Sequence, residues 1–217
     1  ELIGDRAIFI TKKRYAINIF DKEGKRKDKD GKAGDVKAMG LDLKRADTPK
    51  YVQEFLMNVL CMVIQDGKGR AEVVDKIKEF KRVLTKQDSW TKGSPKGVNK
   101  LTMYGDLEAN MPGHVRGSLN YNYLRKVNSD NYSMKIVDGM KVIVCKLKSN
   151  PLGFTSIAYP TDELRLPQWF TELPFDDEEM EKTLVDEKID NLLGVLDWDI
   201  RDSTDVKSTF DDLFSFG

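Results

Sequence analysis

The chain has 217 residues, 40% of them hydrophobic, enough for one sizeable core or two small ones. Its formal charge is zero, yet the first 150 residues carry 31 Lys+Arg against 19 Asp+Glu and the last 67 carry 5 against 17. The longest nearly apolar stretch, Phe55 to Ile64, is half of the roughly 20 residues that a bilayer requires, so no membrane partner and a cytoplasmic setting are expected.

Residues 5 to 21 read as a β-hairpin, with the β-branched and aromatic runs RAIFI and RYAINIF flanking a polar turn at Thr11, Lys12 and Lys13. A glycine-punctuated charged segment, residues 21 to 35, is an expected exposed loop, and VKAMGLDL a further short strand or extended run. Asp47-Thr48-Pro49 has the composition of a helix start, with Thr48 able to cap free amides and Pro49 suited to the first helical position. Val52, Phe55, Leu56, Val59, Leu60 and Val63 then recur at helical spacing, and Val73, Val74, Ile77, Phe80 and Leu84 predict a second helix over residues 70 to 86.

From Gln87 to Pro112 the pattern is irregular and polar. Val115, Leu119, Tyr123 and Val127 keep a four-residue stride that predicts a helix over 113 to 127. MKVIVCKL and SIAY read as strands, and DDEEMEKTLVDEKIDNLLGVL as an acidic helix whose negative first turn complements the helix dipole. After Trp198 a polar segment reads as a tether, ending in the aromatic cluster FDDLFSFG. The fold class expected from this order is α+β: N-terminal strands, a mainly helical body with a small β element, and a flexible tail.

The groups that carry chemistry are sparse. Cys61 and Cys145 lack CxxC spacing and read as reduced thiols in apolar surroundings, and the single His114 excludes multi-histidine metal sites. No GxxxxGK[ST], GxSxG or HExxH motif occurs. The carboxylate pairs Asp28 with Asp30 and Asp197 with Asp199 read as solvated charge in polar segments rather than as ligands.

Three features point toward a polyanion or a partner, and each has a plainer reading. Lys12, Lys13, Arg14 and Tyr15 put three cations and an aromatic at one sheet margin, suited to phosphates and minor-groove acceptors, or equally to shielding an edge strand. Pro112-Gly113-His114-Val115-Arg116 sets donors beside the open amides of a helix start, an anion-binding arrangement or else an ordinary cap and surface ion pair. The loop upstream adds Lys92, Ser94, Lys96, Asn99 and Lys100. At the terminus Phe210, Leu213, Phe214 and Phe216 lie beyond any core they could complete, so they dock on a partner's groove or fold back on their own domain.

Taken in order, KKRYAINIFDKEG, GLDLKRADTPKYVQEFL, GHVRGSLNYN and the terminal FDDLFSF resemble the C-terminal portion of family B replicative DNA polymerases of T-even-type bacteriophages. The resemblance implies palm strands over residues 1 to 40, a thumb over 41 to 200, and a tether with a clamp-binding peptide over 201 to 217. It implies DNA contacts by Lys12, Lys13, Arg14 and Tyr15 in the minor groove, with Lys96, Lys100, His114, Arg116 and Asn120 supporting the backbone grip. It implies sliding-clamp contacts by Phe210, Leu213, Phe214 and Phe216. The family's metal-binding aspartates, nucleotide-binding helix and exonuclease lie upstream of KKRY, so Mg2+ is implied only for the complete polymerase and no catalysis for this chain alone. Because the first residue is Glu1 and not methionine, a piece of a longer or split polymerase is expected, with the upstream chain as partner. The hairpin's uncovered edge would take that partner or, failing it, a second copy. Two rival readings are a stand-alone nucleic-acid-binding accessory protein and a clamp-interaction module indifferent to DNA.

Overall fold

The computed structural model describes residues 1–27, 34–104 and 111–198, and its architecture is α+β. Among the described residues the chain divides into two compact units, one formed by residues up to 86 together with 183–198, the other by residues between 87 and 182. The strands and helices of the first unit share one core.

In the first unit, β1 (Leu2–Thr11) and β2 (Arg14–Lys22) form the expected antiparallel hairpin. The two-residue strand β3 (Lys25–Arg26) and β4 (Asp35–Met39) both pair with β2, so β1 is an edge strand. Alternation along the strands turns Ile8 and Ala16 inward, where they meet α1 (Lys50–Ile64) and α2 (Arg70–Thr85). The apolar stripe of α1, with Val52, Phe55, Leu56, Val59 and Leu60, is buried as its spacing requires. Phe55 stacks on Phe80 of α2 with ring centroids 3.9 Å apart.

The start of α1 differs from the expected cap. Pro49 precedes the first helical residue, and the Thr48 hydroxyl is buried without a hydrogen-bond partner among the described residues. The Gln53 amide holds the entry instead, donating to the carbonyls of Arg45 and Thr48 at 2.9 and 2.8 Å. At the start of α2 the Glu72 carboxylate accepts from the Gly69 amide at 3.1 Å, satisfying one of the free amides of the first turn.

The second unit is built on a three-stranded antiparallel sheet: β5 (Ser94–Gly97), β6 (Lys141–Lys146) and β7 (Ser156–Pro160). The strand β5, Ser-Pro-Lys-Gly, has no strand-like pattern. It is tolerated because it lies at the sheet edge, where Pro95 needs no ladder hydrogen bond on its outer side. The predicted helix is α3 (Gly113–Val127), laid against β7. Their approach is close at Gly117, where an added Cβ would stand 3.0 Å from the Ile157 carbonyl carbon. Tyr121, Val142, Cys145, Ile157 and Phe170 fill this core, Phe170 arriving on the short α4 (Gln168–Thr171). Burial pushes the Tyr121 phenol up to about 12. It also raises the Cys145 and Cys61 thiols, both of which are free cysteines.

The acidic helix is interrupted. It runs as α5 (Asp177–Glu181), a π-helical turn over Lys182–Asp186, and α6 (Glu187–Leu193), ending in a 3₁₀ turn over Gly194–Leu196. The Asp176 carboxylate caps α5 by accepting from the Glu179 amide. Each part of the helix is tied to its own unit by a buried lysine: Lys92 to Glu181 in the second, Lys81 to Asp186 in the first, both at 2.8 Å. Among the described residues no helix is long and apolar enough to cross a membrane.

Candidate nucleic-acid interface

The first candidate group sits at the tip of the β1–β2 hairpin. Thr11 pairs with Arg14, leaving Lys12 and Lys13 as the turn, and Lys13 adopts a left-handed backbone with φ of 67°. A lysine in that conformation costs about 1 kcal/mol relative to glycine. Such outliers gather at functional sites. Gly40, itself left-handed, allows the chain after β4 to lie against the turn, since a Cβ there would stand 2.4 Å from the Lys13 carbonyl oxygen.

The four residues do not form one surface. Pleating sends Tyr15 to the outer face of the sheet, where its ring lies 6.0 Å from that of Phe9. Arg14 goes to the opposite face and lines a crevice with Leu41, Asp42, Leu56, Lys188 and Asn191. Lys12 and Lys13 are exposed at the turn itself.

The second group belongs to the second unit. His114 is the second residue of α3, half-buried, and Lys96 on β5 is near enough that its charge bears on the imidazole. Burial first, and the Lys96 cation second, hold His114 below its ordinary value of 6.5, so the ring is neutral at pH 7. Arg116 follows one residue after Val115, partly exposed, at the open amides of the first turn. Lys100 is exposed and, like Lys13, left-handed, with φ of 65°. Its loop is held from behind by the Leu101 amide, which donates to Asp138 at 2.7 Å. Two of the candidate cations thus sit at strained backbone positions that spacing alone does not reveal.

Two lysine-loop and helix residues have other duties. Lys92 is 2% exposed and committed to Glu181 and Asp177 at 2.8 and 3.1 Å, which removes it from the basic loop. Asn120 is 1% exposed, and its amide donates to the Ser156 carbonyl at 2.7 Å, tying α3 to β7. It faces the interior because helix periodicity puts it on the same side as Gly117 and Tyr121. Asn120 is therefore a packing residue and presents nothing to a nucleic-acid backbone. The terminal apolar residues Phe210, Leu213, Phe214 and Phe216, with Asp28, Asp30 and Asp199, lie outside the described residues. Among the described residues no three His, Cys, Asp or Glu side chains gather into a group able to hold a metal ion.

No protein-family model matches the chain. It is 33% identical over 155 residues to the DNA-directed DNA polymerase of Enterobacteria phage T4, and 33% identical over 152 residues to that of Escherichia phage RB69. These matches cover 70% and 69% of this chain but 16% of each polymerase, so the chain spans a small part of the length of these relatives. The resemblance to phage replicative polymerases thus extends over most of the sequence.

Proposed function

We propose that the chain is the C-terminal part of a phage replicative DNA polymerase, gripping primer-template duplex through backbone and minor groove and tethering the enzyme to its sliding clamp. The observation that carries this reading is the hairpin tip: Lys12 and Lys13 in a strained turn, beside Tyr15 on an open sheet face, in a chain related to such polymerases. Backbone gripping suits an enzyme that must advance over any sequence, because phosphate contacts position without reading bases. Lys96, Lys100, His114 and Arg116 add phosphate contacts from the second unit. Phe210, Leu213, Phe214 and Phe216 form the clamp peptide.

Polymerisation itself belongs to the upstream chain, which supplies exonuclease, fingers, palm active site and the Mg2+ ligands. The docking place for that chain is β1, ten residues long and, among the described residues, paired only with β2. A free edge of that length is a template for a further strand, and in the absence of the upstream chain a second copy takes it. Deleting residues 209–217 tests the division of labour. The truncated chain is expected to lose clamp binding and keep duplex binding; loss of duplex binding as well would overturn the assignment of the grip to the two units.

A further inference from the structure

Cross-strand register places three side chains abreast on the outer face of the first unit's sheet. Phe9 of β1 pairs with Tyr15 of β2, and Tyr15 pairs with Met39 of β4. Phe9 is 71% exposed and Met39 44% exposed, so the apolar part of this row stands in water at the turn end of the sheet. Lys12 and Lys13 border the row at the turn, and neither has an ion-pair partner among the described residues. An apolar strip that carries one hydroxyl and is edged by uncommitted cations complements a groove with sugar walls, acceptors on its floor and anionic rims. The minor groove of a duplex has that form, with sugar edges inside and phosphates along both sides.

We propose that this row selects deoxyribose over ribose in the duplex it meets, an inference that rests on the duplex-gripping reading above. In a ribose strand the 2′-hydroxyl lies in the minor groove. Phe9 and Met39 offer it neither donor nor acceptor in the sense of an ordinary hydrogen bond. The one hydroxyl in the row, on Tyr15, is matched to the N3 and O2 acceptors that every base pair presents in that groove. A 2′-hydroxyl pressed against the row therefore loses its water without replacement, a penalty that a deoxyribose strand does not incur. The row thus favours duplex whose primer strand is DNA.

The test measures binding of the full chain, by fluorescence anisotropy at 50 mM salt, to three duplexes of one sequence. One is all DNA, one has an RNA primer strand, and one has a 2′-fluoro primer strand, which keeps RNA-like sugar pucker but lacks the hydroxyl donor. The DNA duplex is expected to bind about tenfold more tightly than the RNA-containing one. The 2′-fluoro duplex is expected to bind like DNA, and Phe9→Ser with Met39→Ser to bring the DNA and RNA duplexes within about twofold of each other. Equal binding of DNA and RNA duplexes, or a discrimination that survives both serine substitutions, would overturn the inference and leave the grip intact. A 2′-fluoro duplex bound as weakly as RNA would assign the selection to groove shape and overturn it too. Failure to bind any of the three would instead overturn the grip itself.

Discussion

Lys92 Nζ lies 2.8 Å from Glu181 Oε1 although the lysine side chain is 2% exposed and the glutamate 16%. The pair joins the 3₁₀ turn over Ser89–Lys92 to α5, so a basic loop residue serves as an internal tie. Removing one partner strands a charge in the interior. Lys92→Ala is therefore expected to destabilise the protein by about 3–5 kcal/mol, while Lys92→Met combined with Glu181→Leu recovers only part of that loss, because Asp177, 3.1 Å from the lysine, loses its cation in both. Urea titrations of the two variants and the unaltered chain check it.

A second tie predicts the acid limb of stability. Burial works against the Asp130 carboxylate, but hydrogen bonds from the Ser133 hydroxyl and amide, the Trp169 indole and the Tyr132 amide outweigh it and hold Asp130 well below the usual carboxylate range. A depressed native value contributes stability that is present above the ordinary value of 3.8 and lost as pH falls through the native one. Thermal unfolding is expected to show a loss below about pH 4 that Asp130→Asn reduces.

Asn120 separates packing from binding. Asn120→Ala removes the donor to the Ser156 carbonyl, and about 1–3 kcal/mol of stability is expected to go with it. Duplex affinity per folded molecule, measured below the unfolding transition, is expected to stay unchanged.

His114 gives the grip a pH dependence of definite sign. In the free protein its value is depressed, and a bound phosphate would raise it, so binding takes up a proton. Duplex affinity is expected to rise as pH falls through the window between the bound and free values. The rise amounts to up to about tenfold for each unit by which the phosphate raises the imidazole. His114→Ala is expected to flatten the profile over pH 5 to 8, as read by anisotropy titrations.

The sequence made some of this legible and hid the rest for identifiable reasons. The helices α1 and α2 follow from helical spacing because their apolar positions face a core, and the hairpin from β-branched and aromatic runs about a polar turn. The helix α3 forms where the four-residue stride places it, but that stride misses its buried face: Tyr123 and Val127 are exposed, while Gly117, Asn120, Tyr121 and Leu124 are buried with Val115. The strand β5 was hidden because Ser-Pro-Lys-Gly earns its place at an edge by pairing, not by propensity. Lysine composition could not distinguish Lys92, which turns inward to Glu181, from Lys100, which stays in water. Nor could it show that Arg14 and Tyr15, adjacent in sequence, serve opposite faces of β2, although a strand's period of two contains that fact once the strand is assigned.

The most direct measurement is the salt dependence of duplex affinity for the full chain, with Lys12→Ala and Lys13→Ala alongside. Neutralisation of about six phosphates predicts a fall of roughly a thousandfold between 50 and 200 mM salt, and each lysine substitution should lower the logarithmic slope by about one. An affinity indifferent to salt, or slopes unmoved by both substitutions, would contradict the claim that this chain holds duplex DNA by its backbone.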